Sequence, residues 1–329
     1  MTQPTLVAVV VTYNRLAQLK VTLDRLLSSA PQHLSAVVVF DNASDDGTGA
    51  FLAECLARQD AGDEDGRLHV ITSPANLGGA GGFEAAMRAA HERFDPDWMV
   101  LMDDDARPVR GALETFHAVP RTPQEAWAAA VYYPDGRACD MNRPWINPFR
   151  SGADLLHSLR HGRDGFHLNE EDYQSDQTRD IDGGSFVGLF VARAAIERVG
   201  YPDGRLFLYG DDVLYTLGLS QAGGRIGFDP NIAFEHDCAT LSGGPSPVMF
   251  PLWKVYYFHR NQVLVYRRAA GPVLFWPVLA LKALSWWRRA AAYGPQRRAY
   301  LRLIRAALRD GLLRDTSRPR ERVLEMAQD

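Results

Sequence analysis

The sequence predicts an α/β fold, a mostly parallel sheet flanked by helices, followed by a helical, basic and amphipathic C-terminal extension. Three observations predict it. Over the first hundred residues, short apolar runs rich in β-branched residues alternate with segments of helical periodicity, as in strand–helix units around a parallel sheet. Polar and glycine-rich clusters follow those runs, where loops leave the carboxyl edge of such a sheet. Charge is split along the chain: residues 251–329 hold 16 Lys+Arg and 5 Asp+Glu, and residues 1–250 hold the remaining 20 and 35. An acidic body with a basic tail points to an anionic partner for the tail. The 329 residues, 46% hydrophobic and 23% charged, suffice for a packed core.

Leu6–Val11 is a continuous apolar run, as in a strand buried on both faces. Leu16, Leu19, Leu23, Leu26 and Leu27 then share a helical face. Ala36–Phe40 is a second buried strand, ending in the turn-forming cluster Asp41–Gly47. A helix to about Arg58 and a strand at Leu68–Ile71 follow. The glycine-rich loop Asn76–Gly82 leads into a helix ending near Arg93, and Trp98–Met102 is a strand that stops at three aspartates. After a strand at Ala126–Tyr133 the pattern dissolves, so residues 134–180 are expected to be an irregular insertion, an acceptor-facing loop or lid. Order returns with a strand at Ser185–Ala192, a helix at Ala194–Val199, a strand end at Leu206–Tyr209 and a helix from Asp212 to Gln221. Strands at Arg225–Phe228 and Ile232–Glu235 complete a body spanning residues 1–250, with a helical membrane-association region at 251–329.

Chemistry concentrates behind the strands. Asp103-Asp104-Asp105 repel one another, and burial raises that cost. A hard divalent cation, Mg²⁺ or Mn²⁺, relieves it through oxygen ligands. Were the segment extended, Asp103 and Asp105 would share one side and Asp104 the other. A solvated acidic turn is the plainer alternative. His236 lies just after a strand, either as a metal ligand or as a structural histidine. Asp211 and Asp212 stand at a helix start, where simple capping is one reading and a general base for an acceptor hydroxyl is the other. The glycines of Asn76–Gly82 would let backbone N–H groups approach a diphosphate, or simply make a flexible loop.

Together these residues resemble glycosyltransferase family 2, inverting enzymes of the Rossmann-like GT-A fold, over roughly residues 5–240. Val10-Val11-Thr12-Tyr13-Asn14-Arg15 is similar to the family's opening strand and uridine-side loop, and Asp41–Thr48 to its D-N-x-S-x-D-G-T segment. Asp103-x-Asp105 matches the family's metal-binding D-x-D, Gly210-Asp211-Asp212 the motif whose second acid is the base, and His236 a later histidine of the metal site. The N-x-G-G-x-G-G-F run at Asn76–Phe83, the triplet followed by Pro108, and Tyr256-Tyr257-Phe258-His259-Arg260-Asn261 look like the galactofuranosyltransferase subgroup. The chain departs from some of its members at Asp182-Gly183-Gly184-Ser185-Phe186, where those carry paired tryptophans.

The resemblance implies Asp212 as base with Asp211 beside it, and Asp103, Asp105 and His236 as ligands of Mn²⁺ or Mg²⁺. It implies a donor site of Thr12, Tyr13, Arg15, Asp41, Asn76, Gly81, Asp103 and Asp104. The implied donor is a UDP-sugar, UDP-galactofuranose first, and the implied acceptor a glycan or lipid-linked glycan. A dTDP-rhamnose-dependent rhamnosyltransferase is the alternative. A nucleotidyltransferase fits less well, because Thr12-Tyr13-Asn14-Arg15 lacks the glycines of a triphosphate loop. A non-catalytic scaffold would have no need of both acidic pairs and His236.

In the tail, Pro272–Trp287 is apolar but interrupted by Pro277 and Lys282, which suggests an interfacial segment. Leu301, Ile304, Leu308 and Leu312 share one helical face, and Arg298, Arg302, Arg305 and Arg309 another. This reads as a basic amphipathic helix for an anionic membrane surface, with a packed helical subdomain or dimer interface as the alternative. Nothing resembles a nucleic-acid module. Three scattered cysteines and no signal-like leader suggest a cytoplasmic protein, peripheral on the inner face of the membrane.

Overall fold

The computed structural model describes residues 3–62, 66–238 and 248–328. Its first half is β1 (Leu6–Thr12), α1 (Leu16–Leu27), β2 (Ala36–Asp41), α2 (Thr48–Asp60), β3 (Leu68–Thr72), α3 (Gly78–Phe94) and β4 (Trp98–Asp103). Side chains alternate across a strand, so β1 feeds two cores. Leu6, Ala8 and Val10 pack with Leu19, Leu23 and Leu26 of α1 and Leu52 of α2. Val7, Val9 and Val11 pack with Phe83, Ala86, Met87 and Ala90 of α3. Helices on both faces explain why every residue of β1 and β2 is buried.

The chain continues through β5 (Ala106–Pro108), α4 (Ala112–Ala118), β6 (Ala126–Tyr132), α5 (Gly152–His161), α6 (Glu170–Gln174), β7 (Arg179–Ile181), β8 (Leu189–Ala192), α7 (Arg193–Val199), α8 (Asp211–Gln221) and β9 (Ile226–His236). Strand order is β3-β2-β1-β4-β8-β6-β9-β5, with β7 on β9. The half containing β1 to β4 is parallel. The other half is mixed, because β8 runs antiparallel between β4 and β6 while β6 and β9 are parallel.

Several local expectations are corrected. The Asn76–Gly82 loop is already helical from Gly78. Leu206–Tyr209 is no strand end: Phe207 and Tyr209 have φ of 65° and 68°, and the chain makes a 3-10 turn and a tight loop instead. The two strands expected at 225–235 are one, β9, with a register shift opposite Ala129/Ala130. The 134–180 insertion carries α5, α6 and β7, short elements whose polar composition hides them.

The C-terminal region forms α9 (Lys254–Arg289, kinked at Gly271), α10 (Arg297–Leu313) and α11 (Arg320–Ala327) around a third core of Tyr256, Tyr257, Trp286, Tyr300, Leu303 and Val323. The expected amphipathic helix exists as α10, but its apolar stripe is not free. Tyr300, Leu303, Ile304 and Ala307 are buried in that core, so the packed-subdomain alternative describes α10. Apart from Leu313 at the end of α10, the exposed large apolar residues of these helices fall on α9: Val273, Trp276, Leu281, Leu284 and Trp287 recur at helical spacing. The stretch Lys254–Leu313 contains a window long and apolar enough to cross a membrane by length and composition.

Candidate active site

Sheet register brings the candidate residues to one edge. Thr12 at the end of β1 pairs with Asp41 at the end of β2, and Val11 pairs with Asp103 at the end of β4. After the aspartates the chain turns into β5, which pairs antiparallel with β9 so that Ala106 faces His236. His236, 131 residues beyond Asp105, is thereby placed beside it, with Nε2 3.2 Å from Asp105 Oδ1.

Asp104 and Asp105 form a turn, not an extended run, and the three carboxylates separate. Asp104 is buried and points back to β1, accepting hydrogen bonds from the Thr12 hydroxyl at 2.7 Å and the Tyr13 amide at 3.3 Å. Burial lifts its pKa to about 7 in spite of the Thr12 bond. Asp105 pairs with His236 and with the Arg15 guanidinium, which lies 3.7 Å from Asp104. Burial opposes the charge on Asp105, but these partners hold it below its ordinary value. For His236, burial disfavours the imidazolium, yet the hydrogen bonds to Asp105 and Cys139 and the charges of Asp105 and Asp103 together outweigh it and push the ring up to about 10. Asp103, half-buried, is lifted to about 6 by burial and by the Asp105 charge. Two carboxylates and an imidazole, from Asp103, Asp105 and His236, make a donor set that would fit a hard divalent cation.

The second acidic pair lies near enough to the first to feel its charge. Asp212 is among the charges raising Asp103, and Asp103 among those raising Asp211. Asp211 is buried, and burial with the Asp212 charge holds it well above the carboxylate range. Burial lifts Asp212 to about 6, opposed by the Val213 amide that its Oδ1 accepts at 2.7 Å. The N-cap position of α8 is Gly210, at φ 77°, so it is Asp212 that satisfies a first-turn amide of the helix, as the capping alternative expects.

Around this centre, the loops after β1 and β2 are sewn together. Asn14 donates to Asp45 at 2.7 Å, and Asp46 accepts the Leu16 amide at the start of α1. Asp41 is buried and accepts the Ser44 amide, whereas Tyr13 is exposed. Asn76 accepts the Gly78 amide at 2.8 Å. The glycines answer to packing: a Cβ on Gly78 would lie 2.0 Å from the Phe207 carbonyl oxygen, and one on Gly82 2.6 Å from Val11. Gly81 is buried, with the Gly204 carbonyl 3.6 Å from where its Cβ would be. The start of α3 thus seats the segment that leads to Asp211.

Three contributions escaped the sequence. Asn142, buried in the 134–180 insertion, accepts from Nδ1 of His236 at 2.8 Å and donates to Ser185, which orients the ring. Arg260 and Asn261 of α9 hold the loop before Asp211: Arg260 reaches the Leu206 carbonyl, and Asn261 Nδ2 lies within 3.1 Å of the Leu206, Leu208 and Tyr209 carbonyls. At the Asp182–Phe186 departure, the ring of Trp145 lies where a side chain on Gly183 would be, 2.3 Å from its Cβ position. The Tyr-Tyr-x-x-Arg-Asn run carried a signal for Arg260 and Asn261, though not for their role; Asn142 and Trp145 carried none.

The profile of the family described as Glycosyl transferase family 2 matches residues 7–156. A protein of Mycolicibacterium smegmatis named galactofuranosyltransferase GlfT1 is 29% identical over 270 residues, spanning 78% of this chain and 80% of its own. The Mycobacterium tuberculosis protein of that name is 31% identical over 238 residues, 71% of this chain and 70% of its own. Among solved structures, GalNAc-T7 with UDP, GalNAc and Mn²⁺ superposes with a TM-score of 0.57 at 13% identity, covering 80% of this chain and 48% of that one. The likeness to it is one of fold.

Proposed function

This chain belongs to glycosyl transferase family 2 and is a glycosyltransferase, and we propose that it moves galactofuranose from UDP-galactofuranose to a hydroxyl of a lipid-linked or polysaccharide acceptor, with inversion. The observation that carries the reading is that Asp103, at the end of β4, and Asp211 and Asp212, at the start of α8, lie close enough for their charges to act on one another. The names of the two mycobacterial relatives support the choice of sugar.

Asp212, the more ionised of its pair, takes the proton of the acceptor hydroxyl as its oxygen attacks the anomeric carbon. Asp211, held well above the carboxylate range by burial and by the Asp212 charge, favours Asp212 as the charged member of the pair. Asp103, Asp105 and Nε2 of His236 would hold Mn²⁺ or Mg²⁺, and the ion would supply positive charge for the departing diphosphate. Arg15 adds a fixed positive charge beside the same carboxylates. Asp41 reads the base, with Tyr13, Asn76 and Gly81 completing the donor side, and the Thr12–Asp104 bond fixes the Tyr13 loop. The exposed apolar row of α9, with Lys282, Arg288 and Arg289 nearby, lies on the cytoplasmic face of an anionic membrane, where a lipid-linked acceptor is met.

The test is a donor panel with Mn²⁺ present. Release of UDP from UDP-galactofuranose, abolished by EDTA, is the expected result. Turnover of dTDP-rhamnose in its place would overturn the donor, and EDTA-resistant turnover would overturn the role of the aspartates.

A further inference from the structure

His236 has a second face that sugar transfer does not use. Its Nε2 faces Asp105, while its Nδ1 faces Asn142 and, at 3.9 Å, the sulfur of Cys139. A second sulfur, that of Cys238, completes a group in which one ligand atom from each of Cys139, His236 and Cys238 lies within 4.8 Å of the others. Topology makes the group. Cys139 follows the tight turn after β6, its amide bonded back to the Val131 carbonyl, and Cys238 lies two residues past the end of β9, the parallel neighbour of β6. Cys139 is buried and Cys238 is partly exposed, which gives an ion a way in.

Two thiols and an imidazole are a donor set of another kind from the aspartates. Hard Mg²⁺ and Mn²⁺ prefer oxygen, whereas Zn²⁺ takes sulfur and nitrogen in a tetrahedron. Bond lengths of about 2.3 Å to sulfur and 2.0 Å to nitrogen set ligand atoms about 3.3–3.8 Å apart. The group therefore needs to close by no more than about 1.5 Å to hold such an ion. The fourth position falls to a water.

We propose that Cys139, Cys238 and Nδ1 of His236 form a site for a thiophilic divalent ion, Zn²⁺ in particular, and that filling it switches the sugar-transfer site off. A neutral imidazole has one lone pair. With the hard cation on Nε2, the ring proton sits on Nδ1 and is donated to Asn142. When Zn²⁺ takes Nδ1 in its place, the two thiol protons leave to solvent and the ring proton moves from Nδ1 to Nε2, which donates it to Asp105. As a neutral imidazole the ring cannot serve both ions. The switching rests on the proposed role of His236 toward the hard cation; the binding does not.

Binding is read with Co²⁺ as a Zn²⁺ surrogate on the full chain in a non-chelating reductant. A thiolate-to-cobalt charge-transfer band that Zn²⁺ bleaches at one equivalent is expected for the wild type. Cys238→Ser, at a partly exposed position, is expected to lose the band and weaken Zn²⁺ binding at least about tenfold, and Cys139→Ser to do the same. No band in the wild type, or an unchanged band in Cys238→Ser, would overturn the site. The switch is read by the Mn²⁺ paramagnetic resonance signal, which needs no turnover. Zn²⁺ is expected to release bound Mn²⁺ from the wild type at least about tenfold more readily than from Cys238→Ser. Equal release from both would overturn the switch.

Discussion

Nδ2 of Asn261 lies 2.8 Å from the carbonyl oxygen of Tyr209, two residues before Asp211, so a helix of the C-terminal region holds the loop that delivers the candidate base. The same nitrogen also serves Leu206 and Leu208. Two left-handed residues, Phe207 and Tyr209, are kept in place by this one side chain and by Arg260. Asn261→Ala leaves buried carbonyls without a donor, at a cost of about 1–3 kcal/mol. Chemical denaturation is expected to show that loss, and kinetics to show kcat falling while the donor KM stays put. A fall in donor affinity with kcat intact would contradict the role.

Asp212→Asn keeps size and polarity but cannot accept a proton from the acceptor. Turnover is expected to fall about 10²–10⁴-fold. Donor binding, followed by calorimetry with Mn²⁺ present, is expected to be unchanged. Near-normal turnover would remove Asp212 from the role of base.

The pH profile follows from the same carboxylate. Burial lifts Asp212 to about 6, and only its ionised form accepts a proton. With saturating donor and Mn²⁺, kcat is expected to rise with pH up to roughly 6 and to level off above it. A profile flat from pH 5 to 8 would assign the proton transfer elsewhere.

Cation dependence is expected to appear in stability as well as in rate. Asp103 and Asp104 are raised to about 6 and about 7, so their contribution to stability is present at low pH and is lost as pH rises through those values. Asp105, lowered, contributes in the opposite sense, and only at more acidic pH. Without a cation, Tm is therefore expected to decline between pH 5 and 7.5. Ligation needs ionised carboxylates and an unprotonated Nε2, so the Tm gain on adding Mn²⁺ is expected to be larger at pH 7.5 than at pH 5. Differential scanning fluorimetry across that range checks both signs.

On α9, Trp276 is 60% exposed and Trp287 50%, so both can be replaced with little cost to the core. Trp276→Ser with Trp287→Ser is expected to reduce pelleting with anionic vesicles. High salt is expected to reduce it further, since each basic residue near such a surface contributes about 1 kcal/mol. Equal pelleting of the double variant and the wild type would leave the apolar row without that role.

Much of the fold was legible because parallel strands buried on both faces must be written as unbroken apolar runs. Leu6–Thr12, Ala36–Asp41 and Trp98–Asp103 are such runs, and the helices between them carry clean periodicity. The insertion was opaque for the opposite reason. Its helices are short and polar, and α5 buries no residue, so no periodic stripe marks it. The Leu206–Tyr209 segment misled because its apolar run packs on the C-terminal core and not in a sheet: Phe207 and Leu208 both lie against that core, and Phe207 packs on Tyr257 with ring centroids 4.7 Å apart. The stripe of α10 was read correctly as amphipathic, yet amphipathicity does not say whether lipid or protein covers the apolar side.

The order and chemical type of the residues, acids and amides behind apolar strands, already dictated a sheet with a polar edge and named the groups that stand on it. Their mutual distances were a matter for the tertiary structure. Hydrogen bonds along a strand fix its neighbours in register, but which strand lies beside which is decided by packing across the whole sheet. That decision set β9 between β5 and β6, and so put His236 on Asp105 and Asn142 and Cys139 on His236, while the packing of α9 put Asn261 under the Asp211 loop.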